Sequence, residues 1–170
     1  TEGLTEDLKI PNATLYGHSK KLTHLRFNPS AENVLATASF DLDVKIWDAY
    51  HAKEVSTTSG VIGQPTCLEW NYDGSLLAAL DKKNILHVVD PRYQGGAMKT
   101  DKAHDGPKQL KCCWLDSSNR ILTTGMSKTM FKEIAIWDLR DLTSPVINKK
   151  SDKNIEVSDP FYDPFNKLVY

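Results

Sequence analysis

Three cysteines in 170 residues are too few and too poorly placed for a disulfide framework. The number is odd, and Cys112 and Cys113 are neighbours that leave a strand on opposite faces, which also excludes a thiolate zinc site and suits a reducing, cytosolic compartment. No apolar run approaches the roughly 18 residues of a bilayer-spanning helix, and the opening TEGLTEDLKI is acidic and polar, unlike a secretory signal. Asn12, Ala13 and Thr14 spell a glycosylation acceptor, which has no use in that compartment. Charge of one sign is also lacking: 21 Lys and Arg face 22 Asp and Glu. No global field therefore points to nucleic acid or an anionic membrane, and any electrostatic signal must be local. The five histidines (His18, His24, His51, His87, His104) sit in no HExxH, near no CxxC and beside no GxSxG elbow. DPRYQGGAMK holds two glycines without phosphate-loop spacing or a following helix. No cofactor, metal or catalytic activity is expected.

What is present is a composition of 40% hydrophobic and 25% charged residues, ordinary for one moderate core, and an internal repeat. LTHLRFNPSAENVLATAS (22–39) lies over PTCLEWNYDGSLLAALD (65–81), QLKCCWLDSSNRILTTG (109–125) and VSDPFYDPFNKLVY (157–170). The aromatics Phe27, Trp70, Trp114 and Phe161 recur at steps of 43, 44 and 47. Each precedes a turn rich in Asn, Asp, Pro, Gly or Ser and then an apolar segment; the first three repeats go on to a third segment, VKIWD, LHVVD or IAIWD. These segments are short, rich in β-branched and aromatic residues, and several alternate apolar with polar, so they read as strands.

A period near 43 residues with four strands per unit is the pattern of propeller blades, and Gly17–His18 followed by Trp47–Asp48 marks the WD-repeat kind. The fold expected is therefore all-β, a segment of three to four blades, with blades near 17–60, 61–102, 103–150 and the start of another at 151–170. Residues 12–16 are expected as the outer strand of a preceding blade. Such an arc leaves strand edges unpaired and is expected to be poorly soluble alone, as a piece of a longer protein. Resemblance to WD repeats implies a hydrogen-bonded chain from Asp41 through His18 and Thr37 (or Ser39) to Trp47. His18, Thr37 and Asp41 match a hydrolase triad in residue type, but a structural tie between strands is the reading adopted here. The second unit has Val89–Asp90 and no Gly-His pair. The third restores His104 and Trp137, which are counted with the structural network, but carries MSKTMFKE where the turn aspartate belongs, so both units are expected to keep less of it than the first.

Several stretches go beyond WD repeats in general: GLTEDLKIPNATLYGHSKKLTHLRFNPSAENVL, the ending HVVDPR, the insertion before AIWDL, and PFYDPFNKLVY. Together they resemble the propeller of the coronin family over nearly the whole chain. That resemblance implies a seven-bladed ring of which this is the middle, and binding to filamentous actin with regulation of actin dynamics. It also implies a cytoplasmic, cortical location, and dealings with the actin-branching complex and severing factors through regions outside these residues. Homo-oligomerisation would come from a C-terminal coiled coil, also outside them.

Because blade strands alternate in direction, the connections fall on two rims. One rim gathers Lys20, Lys21, Lys82, Lys83, Lys102, Lys108, Lys128, Lys132, Lys149, Lys150 and Lys153, eleven lysines against seven acids. The other reverses the balance with Glu32, Asp48, Glu54, Asp73, Asp90, Asp116, Asp138, Asp141 and Asp163 against five bases. The lysine rim suits an acidic protein surface such as the actin filament, with Lys20, Lys21, Lys82, Lys83, Lys128 and Lys132 the candidate contacts. The competing reading is a WD-repeat scaffold for another protein or peptide. Nucleic acid is not expected, since the rim has few aromatics and no arginine.

Overall fold

A computed structural model describes residues 13–60, 62–93, 96–115, 118–153 and 159–170, with the side chains of 152 and 153 excluded. Among these residues there are strands and turns but no α-helix. Strands β1 (Leu22–Phe27), β2 (Val34–Ser39), β3 (Asp43–Asp48) and β4 (Lys53–Ser59) form the first antiparallel sheet, in chain order. The second holds β5 (Pro65–Trp70), β6 (Leu77–Asp81), β7 (Leu86–Val89) and the short β8 (Met98–Lys99). The third holds β9 (Lys111–Leu115), β10 (Arg120–Met126), β11 (Phe131–Asp138) and β12 (Ile147–Lys153). A hairpin of β13 (Tyr162–Asp163) and β14 (Leu168–Val169) follows. Residues 13–16, expected as an outer strand, lie in no strand, and Asn12 falls outside the described residues. Ser56–Ser59 belong to β4, and Ser56 Oγ donates to Pro91 O at 2.8 Å.

The first strands of successive sheets lie side by side, β1 by β5, β5 by β9 and β9 by β13, so the sheets radiate as wedges. Their inner strands are thus covered on both faces, which explains why LLAALD reads as a continuous apolar run rather than an alternating one. The strand period of two sorts β6 between two cores. Leu77 and Ala79 face the first sheet, among Ala36, Ala38, Val44 and Ile46. Ala78 and Leu80 face the third, among Leu110, Cys112, Trp114, Ile121 and Trp137. Each large apolar side chain buried in these seams contributes about 1.5–3 kcal/mol. The outer strands bury less and are more polar, as in β4 and the lysine-bearing β12, which discourages edge pairing.

Trp70 Nε1 donates to Arg26 O at 3.0 Å, and Trp114 Nε1 donates to Glu69 O at 3.0 Å. Each anchor thus reaches back to the residue preceding the anchor of the sheet before it. The turn of one wedge also docks on the next, with Asn28 Nδ2 donating to Gly74 O at 2.8 Å. Gly74 is required there, because its φ is +71° and a Cβ would collide with the Asn28 amide.

The fourth anchor is out of phase with its expected residue. Asn28 and Asn71 follow their anchors, donate backbone N–H across the turn to Val34 and Leu76, and cap that turn through their side chains. Asp163 plays this part in the last hairpin, pairing with Leu168 and accepting from the Phe165 amide at 2.9 Å. The residue before it, Tyr162, therefore takes the place of Phe27, Trp70 and Trp114, and Phe161 sits one position earlier, 66% exposed. The turn is shorter than in the first sheet, and PFYDP offers two adjacent aromatics, so spacing alone chose the wrong one.

Candidate functional site

The network at the first sheet ties three segments together. His18 Nδ1 lies 2.9 Å from Asp41 Oδ2, His18 Nε2 lies 2.8 Å from Thr37 Oγ1, and Trp47 Nε1 donates to Thr37 Oγ1 at 2.7 Å. An indole can only donate, so the Thr37 oxygen accepts from it; with the imidazole neutral, the hydroxyl proton goes to Nε2 and Nδ1–H donates to Asp41. Ser39 stands outside the chain, its hydroxyl donating to Lys20 O at 3.0 Å. Burial pushes the Asp41 carboxyl up, but the His18 ring, the Ser19 and Asp43 amides and Ser39 outweigh it and hold Asp41 well below the usual carboxylate range. Gly17 is needed beside His18, since a Cβ would stand 2.8 Å from the Trp47 ring.

The third sheet keeps the network through His104 and Trp137, and keeps it whole where less was expected, because a carboxylate is supplied from elsewhere. His104 Nε2 lies 2.9 Å from Thr123 Oγ1, Trp137 Nε1 donates to Thr123 Oγ1 at 3.0 Å, and His104 Nδ1 lies 3.2 Å from Glu133 Oε2. The insertion does not loop out; it lengthens the β10–β11 hairpin. Beyond the Thr123–Ala135 pair the ladder continues through Ile134, Glu133 and Lys132, whereas in the first sheet it continues from Thr37–Lys45 only through Val44. Glu133, on the strand, therefore supplies the carboxylate that Asp41 supplies from a turn. Burial lowers the His104 pKa despite the opposing pull of Glu133. Thr123 and Glu133 were missed, although the separation of histidine from hydroxyl, 19 residues, is the same in both sheets.

The second sheet loses hydroxyl and indole together. Ala79 pairs with His87 where Thr37 pairs with Lys45, and Val89 pairs with Leu77 where Trp47 pairs with Leu35. No buried indole is left to be satisfied there. Asp81 caps the turn instead, accepting from the Lys83 and Ile85 amides at 2.8 and 3.0 Å and lying 3.1 Å from His87 Nε2. His87 and His104 are buried, whereas His18 is half-buried and lines a cleft of about 260 Å³ with Thr37 and Trp47.

The connections beside Lys20–Lys21, Lys82–Lys83 and Lys128 all emerge at one end of the wedges. Lys20, Lys21, Lys82, Lys83 and Lys128 are exposed, while Lys132 is half-buried. Among the described residues no acid lies within ion-pair distance of Lys20, Lys21, Lys82 or Lys83. Lys128 Nζ is 3.7 Å from Asp105 Oδ2, Lys102 Nζ is 3.6 Å from Asp105 Oδ1, and Lys150 Nζ is 3.5 Å from Glu133 Oε1. Asp41, Asp81 and Glu133 are turned inward onto histidines and turns. Lys153 lies among the side chains not described. On the opposite rim, Arg92 is held by Asp90, and Arg120 and Arg140 by Asp138, while Asp116 falls outside the described residues.

Comparison with known proteins agrees with this architecture. The family described as WD domain, G-beta repeat, matches residues 9–48. A coronin-like protein of Saccharomyces cerevisiae is 33% identical over 99% of this chain and 26% of its own length. Coronin-2A of Homo sapiens is 28% identical over 98% of this chain and 32% of its own length. The chain thus spans roughly a quarter to a third of the length of these two relatives. The crystal structure of the WD40 domain from Toxoplasma gondii coronin superposes with a TM-score of 0.84 at 31% identity, covering 92% of this chain and 41% of that one.

Proposed function

From the premise that this chain is a WD-repeat segment of the coronin family, we propose that it helps bind filamentous actin and so takes part in regulating the actin cytoskeleton. The observation that carries this reading is the row of exposed lysines Lys20, Lys21, Lys82 and Lys83 on one rim, with no acid paired to them among the described residues. Actin filaments are acidic, and fields from several loops add over a rim that faces them. Lys128 is partly engaged by Asp105, and Lys132 is half-buried, so both are weaker contacts than their sequence suggests. The protein acts by binding, in the cytoplasm at the actin-rich cortex, without catalysing a reaction.

The test is cosedimentation with actin filaments of the protein and of a variant carrying Lys20→Glu, Lys21→Glu, Lys82→Glu and Lys83→Glu. Affinity is expected to fall about tenfold or more and to weaken further with added salt, as screening shortens the reach of exposed charges. A control variant with Glu32→Lys and Asp73→Lys on the opposite rim should pellet as the parent does. Equal pelleting of the parent and the four-lysine variant would remove the proposal.

A further inference from the structure

We propose that Cys67 and Cys112 are an oxidative modification site, forming a reversible disulfide between neighbouring wedges when a peroxide reaches them. The two residues are 45 positions apart in the chain and lie on β5 and β9, the adjacent first strands of the second and third sheets. Their sulfurs are 3.6 Å apart, so a closure of about 1.5 Å reaches the ~2.05 Å bond length. β5 and β9 belong to different sheets and share no backbone ladder, so that closure breaks no strand pairing between them. A cleft of about 670 Å³ reaches the seam at Cys112 and Cys113, beside Glu69 and Trp114, and admits a molecule the size of hydrogen peroxide.

The cleft is lined by Cys112 and not by Cys67, so Cys112 is the sulfur of the pair that peroxide meets. The Cys112 thiol gives up its proton and its sulfur attacks one peroxide oxygen; the O–O bond breaks, a sulfenic acid forms, and the departing hydroxide takes up that proton as water. Cys67, whose thiol is in contact with Cys112 and has its pKa drawn down by that contact, then attacks the Cys112 sulfur, the S–O bond breaks, and the Cys67 proton leaves with the hydroxyl as a second water. Two thiols lose two electrons to one peroxide, and a dithiol reductant reverses the reaction. The site is independent of the lysine rim.

The folded protein is treated with hydrogen peroxide, unfolded in an alkylating agent, digested with trypsin without reductant, and mapped by mass spectrometry. A peptide 54–82 joined to peptide 112–120, lighter by two hydrogens than the sum and separated by reductant, is the expected product. Cys112 and Cys113 share one tryptic peptide, so Cys113→Ser must retain the linkage and Cys67→Ser must abolish it. The proposal is overturned by alkylated, unlinked cysteines in the oxidised protein, by loss of the linkage in Cys113→Ser, or by equal yield from protein oxidised in urea.

Discussion

His104 Nδ1 lies 3.2 Å from Glu133 Oε2, the carboxylate being carried on a strand rather than in a turn. Lengthening the hairpin by two ladder pairs adds four residues between hydroxyl and indole, from 10 to 14 positions, yet returns both to the same hydrogen bond. Thr123 is the hub of this arrangement, accepting from Trp137 and contacting His104. Thr123→Val removes the oxygen and leaves a buried indole N–H and a buried imidazole nitrogen unpaired. A loss of about 1–3 kcal/mol per orphaned group is expected, read from urea denaturation. Thr37→Val should behave alike, whereas Ala79→Thr, which adds a hydroxyl where no indole waits, should give no gain.

The wedge architecture was legible because anchors, turns and third strands all recur at one period, and the alternation in LTHLRF and VKIW follows from β geometry alone. The first network was legible through the resemblance to WD repeats, which implies a chain through His18, Thr37, Asp41 and Trp47. The third was not, because Glu133 is recognisable only once the β10–β11 register is known; residue type along the chain does not say which side of a longer hairpin faces His104. The lysine rim was legible as a charge pattern. That Asp105 engages Lys102 and Lys128, and that Lys132 is half-buried, depends on packing.

Stability should fall as pH drops below about 6.5, the ordinary value for an unfolded histidine. Burial lowers the pKa of His104, and burial with the charges of Arg26 and Lys111 lowers that of His24. Above pH 6.5 both are neutral whether folded or unfolded, and full stability is present. Below it the unfolded chain takes up protons that the folded state resists, and unfolding is favoured. Asp41, held down when folded, withdraws its own contribution only in stronger acid. Urea midpoints at pH 7.5, 6.5 and 5.5 test this; an unchanged midpoint at 5.5 contradicts it.

Gly125 sits against the network of the third sheet, where a Cβ would stand 2.6 Å from His104 Cγ and 2.5 Å from Leu110 Cδ2. Gly125→Ala therefore forces the ring away from Thr123 and Glu133, at a cost of about 1–3 kcal/mol. Gly60, whose Cβ direction is open, is the comparison: with its φ of +66° it carries backbone strain alone. Gly60→Ala should cost about 1 kcal/mol, the usual left-handed penalty, so the larger thermal shift belongs to Gly125→Ala.

The phase of the last hairpin gives two neighbouring aromatics different weights. Tyr162 occupies the anchor position that Trp70 and Trp114 fill in the sheets before it, and both it and Phe161 line the cleft with Asn71, Cys113 and Trp114. It is half-buried, whereas Phe161 is 66% exposed. Tyr162→Ala removes seam contacts along β9 and should cost about 2 kcal/mol or more, within the range for truncating a large aromatic that is only partly buried. Phe161→Ala takes away a ring that water already touches and should cost under about 1 kcal/mol. Thermal denaturation of the two variants decides the register: a larger loss for Phe161→Ala would return the anchor to position 161 and restore a 47-residue step from Trp114.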